Sequence, residues 1–212
     1  MSCHRLGGPA FNTSRMTWVK PSFAWVLYRS GYASKHNQER ILKVKISHAA
    51  MGKLLSACAC QHGGAGCLGR VQWDPARDIM TSEARGRYKR NKNHAIRPRR
   101  MIRQRAIQIG LARHLSEFFV SSILSIQDVT PLAHAVAEAH TAKGGRDSAV
   151  REAMCALQPL LPCERPYMPE CSSEDLIRLR LLSASEEKSE GSATVGVKEA
   201  KRSRQKRCVV KK

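Results

Sequence analysis

Ile107-Gln108-Ile109-Gly110-Leu111, then Leu115, Phe118 and Phe119, then Ile123-Leu124-Ser125-Ile126-Gln127-Asp128-Val129-Thr130-Pro131 form the stretch that decides the fold class. Ile107, Ile109 and Leu111 alternate with Gln108 and Gly110, the period of a half-buried strand. The apolar residues then recur at three and four positions, so Leu115, Phe118 and Phe119 share one face of a helix. Residues 123–129 return to a strand pattern. Thr130-Pro131 offers a capping hydroxyl followed by proline at the first helical position, and the helix it opens should run to Lys143 and stop at Gly144-Gly145. Strands and helices thus alternate within one short stretch, which excludes an all-β or all-helical domain.

Working towards the N-terminus, Leu42, Val44 and Ile46 alternate with Lys43 and Lys45 as another strand. Ser47 is placed to cap a helix with Met51, Leu54, Leu55 and Cys58 on its apolar stripe. Gly63, Gly64, Gly66 and Gly69 mark a loop before Val71-Gln72-Trp73, a short strand ended by Asp74-Pro75. Further back, Pro21 suits the first turn of a helix with Phe23, Val26 and Leu27 on one side, and Gly31 is its natural stop. The expected fold class is α+β, a small mixed sheet of about four strands with about four helices packed on it, then a helical and finally disordered basic tail.

The expected organisation is a flexible leader at 1–14, an α+β domain at 15–145, short helices around a Pro-rich linker at 146–182, and a disordered basic tail at 183–212. In the third segment Val150, Met154 and Leu157 line one helix that Pro159 ends. Leu176, Ile177 and Leu181 line another, preceded by Ser172 and Asp175 in a capping-box-like arrangement.

The 212 residues carry 37 Lys and Arg against 17 Asp and Glu, a formal net charge of +20. Such an excess favours acidic partners, RNA or another polyanion before an anionic membrane, and says nothing about fold. The chain has eight cysteines, but residues 1–15 lack the apolar core of a signal peptide and no run of ~18 apolar residues is present. Reduced thiols in the cytoplasm or nucleus are therefore expected.

Five blocks in order carry a resemblance. They are Arg15-Met16-Thr17-Trp18-Val19-Lys20-Pro21-Ser22-Phe23 with Trp25 and Tyr28-Arg29-Ser30-Gly31; Gln38-Glu39-Arg40; Val71-Gln72-Trp73-Asp74-Pro75; Ile107-Gln108-Ile109-Gly110-Leu111; and Ile126-Gln127-Asp128-Val129-Thr130-Pro131-Leu132-Ala133-His134. Together they resemble the domain-of-unknown-function family 4291 over roughly residues 15–140. The resemblance implies a domain identity and no reaction. Members of that family begin with a further strand-like segment where this chain has a short Gly- and Ser-containing leader. The stretch between Asp74 and Ile107 is also longer and more basic than the family's.

Two clusters are candidate sites. The inserted basic stretch at 85–105 holds Arg85, Arg87, Lys89, Arg90, Lys92, Arg97, Arg99, Arg100, Arg103 and Arg105. That density suits neutralisation of several phosphates, whereas Tyr88 alone offers a stacking surface, so contact without base reading is expected. A solvated loop with no partner is the plainer reading of the same residues. The second cluster is Arg15, Thr17, Trp18, Lys20, Trp25, Tyr28 and Arg29, with Gln108. Aromatic surfaces beside cations suit a nucleotide, the rings stacking on the base and the cations facing phosphate. The same aromatics equally suit core packing.

Other signals are weak or negative. Cys58-Ala59-Cys60-Gln61-His62 with Cys67 lacks the paired ligand spacing of zinc sites, so no metal is expected. No phosphate-binding Gly-x-x-x-x-Gly-Lys-[Ser/Thr] loop, His-Glu-x-x-His or Gly-x-Ser-x-Gly occurs. Thr130 is read as a cap and Asp128 as a charge at the positive end of the helix dipole.

The leading expectation is a basic domain that associates non-specifically with RNA, with no established catalysis. One alternative is a nucleotide- or NAD-using transferase, since the order of turn, helix and strand over Thr17–Ile46 is similar at fold level to ADP-ribosyltransferases. Another is a protein-interaction domain or a degenerate family copy. No cofactor is assigned.

Overall fold

The structure is a computed structural model that describes residues 6, 11–60, 68–80, 101–144, 147–182 and 208–211. In chain order the elements are β1 (Thr17–Val19), α1 (Phe23–Ser30), β2 (Leu42–Ile46), α2 (His48–Ser56), β3 (Cys58–Cys60), β4 (Gly69–Arg77) and β5 (Met101–Leu111). They continue with α3 (His114–Ser121), β6 (Ile123–Asp128), α4 (Thr130–Thr141), α5 (Asp147–Leu157), β7 (Glu164–Tyr167), α6 (Ser173–Arg178) and β8 (Cys208–Lys211). The fold is mixed α+β, as expected. Its strands divide into a four-stranded sheet of order β1-β5-β4-β3 and the pairs β2-β6 and β7-β8.

The long β4–β5 ladder is antiparallel, with Val71 opposite Ile109, Gln72 opposite Gln108, Trp73 opposite Ile107 and Asp74 opposite Ala106. Because side chains alternate, this register gives the sheet two unlike faces. Val71, Ile107, Ile109 and Leu111 point into one cluster with Met51, Leu54 and Leu55 of α2, Leu115 and Phe119 of α3, and Leu176 and Leu179 of α6. Gln72, Asp74, Ala106, Gln108 and Gly110 occupy the opposite face. A second apolar cluster joins Phe23 and Leu27 of α1 to Ala133, Val136 and Ala139 of α4 and to Val150 and Met154 of α5. Side chains after Gly145 therefore complete both clusters.

Local chemistry accounts for most element ends. Ser22 rather than Pro21 starts α1: its Oγ accepts the Trp25 N–H at 3.4 Å, and Pro21 stands one residue outside. Gly31 ends the helix in the left-handed region at φ 60°, with the Tyr32 N–H reaching the Leu27 carbonyl at 2.9 Å. There the absence of Cβ removes a steric penalty. Ser47 accepts the Ala50 N–H at 3.1 Å, and Ser172 accepts the Asp175 N–H at 3.1 Å, both as expected.

Several expectations are corrected. Helix α2 ends at Ser56, and Cys58 opens β3, which pairs in parallel with β4; its thiol still reaches back to the Leu54 carbonyl at 3.1 Å. Thr17–Val19 is a strand against β5, too short to show a period. β4 runs through Asp74-Pro75 to Arg77, because β3 borders it only over Gly69–Val71 and Pro75 has one neighbouring strand to satisfy. Thr130 does not cap α4, whose N-cap position is Val129 without a side-chain bond: the Thr130 Oγ1 accepts the Ile41 N–H at 2.9 Å, while Asp128 Oδ1 accepts the Thr130 N–H at 2.9 Å. Finally, β5 begins at Met101, so Arg103 and Arg105 of the basic stretch lie in a strand. Within the tail expected to be disordered, β8 pairs with β7.

Candidate functional site

The polar face of the four-stranded sheet is built by alternation. Trp18 of β1 stands opposite Gly110 of β5. Lys20, two residues on, leaves β1 on that same side. Gln108 donates its side-chain amide to Gln72 Oε1 at 2.6 Å and to Asp74 Oδ2 at 3.0 Å. These contacts tie β4 to β5 on the face away from the main core.

Helix α1 lies against this face. Trp25 packs on Ala76 and Ala106 in a small apolar cluster, where two alanines leave room for the indole. The Lys20 amine sits 5.4 Å from the centre of the Trp25 ring, within cation–π range. Arg77, at the end of β4, lays its guanidinium 4.0 Å from the centre of the Tyr28 ring. The helix start is held from a distance, since Glu164 Oε1 of β7 accepts the Phe23 N–H at 2.7 Å.

The electrostatics of Lys20 stand out. Burial pushes its amine down to about 8 from 10.5, Arg29 pushes it the same way, and Asp74 opposes both. Among the described residues the amine makes no hydrogen bond and no ion pair, although its side chain is half-buried. Arg29 is exposed near the end of α1, and Asp74 forms no ion pair with the Lys20 amine among the described residues.

Of the sequence-derived nucleotide candidates, Trp18, Lys20, Trp25, Tyr28, Arg29 and Gln108 belong to this face or to the helix across it. Thr17 does not, because it faces the other side and its Oγ1 accepts from Ser116 at 3.3 Å. Arg15 is exposed in the turn before β1 and makes no contact with the group. Gln72, Asp74 and Arg77 were not among the candidates. Their signal was the alternation of Gln72 and Asp74 with Val71 and Trp73, which continues through Asp74-Pro75. The nucleic-acid candidates Arg85, Arg87, Lys89, Arg90, Lys92, Arg97, Arg99 and Arg100 lie outside the described residues. Of the remaining two, Arg105 is exposed and donates to the Trp73 carbonyl.

Among the described residues no group of His, Cys, Asp or Glu is arranged to hold a metal ion, and no helix is long and apolar enough to cross a membrane.

These features define a mixed α+β domain whose sheet is apolar on one face and polar, aromatic and cationic on the other. The family model for the domain of unknown function DUF4291 matches residues 1–167, and the chain belongs to that family. The match reaches beyond the 15–140 span of the five sequence blocks at both ends. No curated protein and no solved structure matches the chain.

Proposed function

We propose that the polar face of the sheet binds a nucleotide. One observation carries this reading: the half-buried Lys20 amine faces an aromatic ring and a second cation with no hydrogen bond or ion pair of its own among the described residues. A half-buried amine that meets only an aromatic ring is less well solvated than one in water, and an anionic ligand relieves that cost. Phosphate oxygens would meet Lys20 and Arg29. The half-buried indole of Trp18 offers stacking surface, and the Gln72–Gln108–Asp74 ladder offers acceptors for ribose hydroxyls and donors for a base.

The test is a thermal-shift screen of the full chain with ATP, AMP and NAD at low and moderate salt. The expected result is a shift that survives moderate salt and is lost in Lys20→Met and Arg29→Ala, both variants remaining folded. Unchanged shifts in both variants would remove the assignment. If NAD alone binds and is consumed, the ADP-ribosyltransferase-like reading follows, with Asp74 the carboxylate on that face.

A second reading, non-specific association with RNA or another polyanion, is supported by the net charge of +20. Its signature is affinity that falls steeply with salt and does not depend on sequence. Replacing Arg97, Arg99 and Arg100 by Gln should flatten that salt dependence.

A further inference from the structure

We propose that Asp74 fixes the hydrogen-bonding polarity of the sheet's polar face, and that this face selects guanine among the nucleotide bases. The inference rests on the nucleotide reading and adds the identity of the base. The free acceptors of the ladder then serve the base rather than the ribose.

The orientation of two side-chain amides follows from one carboxylate. A carboxylate only accepts hydrogen bonds, so the Gln108 atom 3.0 Å from Asp74 Oδ2 must be the amide nitrogen. The same nitrogen lies 2.6 Å from Gln72, whose facing atom must then be its oxygen. Both N–H groups of Gln108 are thereby used inside the ladder. What remains is Nε2 of Gln72, a donor, with Oε1 of Gln108 and Oδ1 of Asp74, both acceptors. None of these three atoms has a partner among the described residues. Their side chains are half-buried, and none of the three atoms is sealed from solvent. Gln72 stands directly opposite Gln108, and Asp74 follows two residues along β4 on the same face. Because Gln108 bonds both neighbours, it is the middle member of the three.

Donor, acceptor, acceptor is the complement of the guanine edge. There O6 accepts from Gln72, N1–H donates to Gln108, and the 2-amino group donates to Asp74. Adenine supplies an acceptor at N1 and a donor at its 6-amino group, but nothing for Asp74, so adenine nucleotides bind more weakly. Uracil sets a carbonyl oxygen against the carboxylate. The Trp18 indole bounds this edge, since it covers Gly110, two residues from Gln108 on the same face.

GTP, ITP and ATP are the probes. They carry the same triphosphate, so the cations of this basic chain attract them equally and any difference reports the base. ITP is GTP without the 2-amino group. Calorimetry on the full-length chain at moderate salt should show GTP binding about tenfold more tightly than ITP or ATP, as loss of one hydrogen bond to a carboxylate predicts. Asp74→Asn, which offers Gln108 a donor as well as an acceptor, should close most of the gap between GTP and ITP. The wild-type comparison decides the base by itself if that variant does not fold. Equal affinity for GTP and ITP, or tightest binding of ATP, would overturn the guanine assignment and leave the nucleotide reading standing. An undiminished gap in folded Asp74→Asn would overturn the part given to Asp74. Binding of none of the three would remove the nucleotide reading and this inference with it.

Discussion

Gly110 stands directly opposite Trp18 in the β1–β5 ladder, and a Cβ on Gly110 would lie 3.1 Å from the indole ring and 2.7 Å from the Met16 sulfur. The indole thus stands close over a residue that offers it no side chain. Gly110→Ala should destabilise the domain by about 1–3 kcal/mol, as overpacking does. Urea denaturation reads the loss. Combining it with Trp18→Leu should recover part of the loss, and strict additivity of the two changes would mean that they do not meet.

Glu164 and Phe23 are joined across 141 positions by the carboxylate that accepts the first free N–H of α1. Because Ser22 serves the Trp25 N–H, the two acceptors divide the helix start between them. Glu164→Ala should cost about 1–2 kcal/mol, as loss of a helix cap does. Glu164→Gln, which keeps an oxygen acceptor and loses the charge, should cost less. Hydrogen exchange at Phe23 localises the effect, and unaltered protection there in Glu164→Ala would refute it.

Lys20 makes stability depend on alkaline pH with a definite sign. Its native amine titrates near 8 while the unfolded one titrates near 10.5, so between these values the unfolded chain binds more protons. Stability therefore rises with pH across that window. Against Lys20→Met, the wild type should gain over pH 8 to 10.5 and show no such difference below pH 7. Parallel denaturation curves for the two proteins throughout would contradict the depressed amine.

His140 acts in the acid range. It is buried at 3% exposure, its Nε2 lies 3.0 Å from the Ile79 carbonyl, and its Nδ1 has no partner among the described residues. Burial lowers its pKa below 6.5, with the Ile79 bond and Asp78 opposing. The unfolded imidazole therefore takes up a proton first, and the stability present above pH 6.5 is lost progressively as pH falls below that value towards the lowered native pKa. A His140→Gln variant should be less stable at pH 7.5 and have a flatter profile between pH 7 and 5. An equal slope in both proteins would place the acid sensitivity elsewhere.

The sequence disclosed those elements whose pattern is long enough to repeat. Ile107, Ile109 and Leu111 marked β5, and Leu42, Val44 and Ile46 marked β2. Ser47, Ser172 and Gly31 announced their helix ends through chemistry confined to one turn. Thr17–Val19 escaped because three residues cannot display a period. The continuation of β4 past Pro75 escaped because proline normally ends a strand, and only the short reach of β3 makes it harmless. At the site, the aromatic and cationic residues around α1 were legible as a cluster. Which of them share a face was not, since that depends on the register that sets Trp18 opposite Gly110 and turns Thr17 towards Ser116. Gln72 and Asp74 entered the group only once β4 was known to run straight through them.

The pairing of β7 with β8 reaches, through Glu164, to helix α1. β8 comprises Cys208–Lys211 and pairs with the strand that carries Glu164, whose carboxylate meets the first turn of α1. Helix α1 in turn supplies Trp25 and Arg29 to the surroundings of Lys20. Deleting Cys208–Lys211 is thus a perturbation of β7 and, through it, of the surroundings of Lys20.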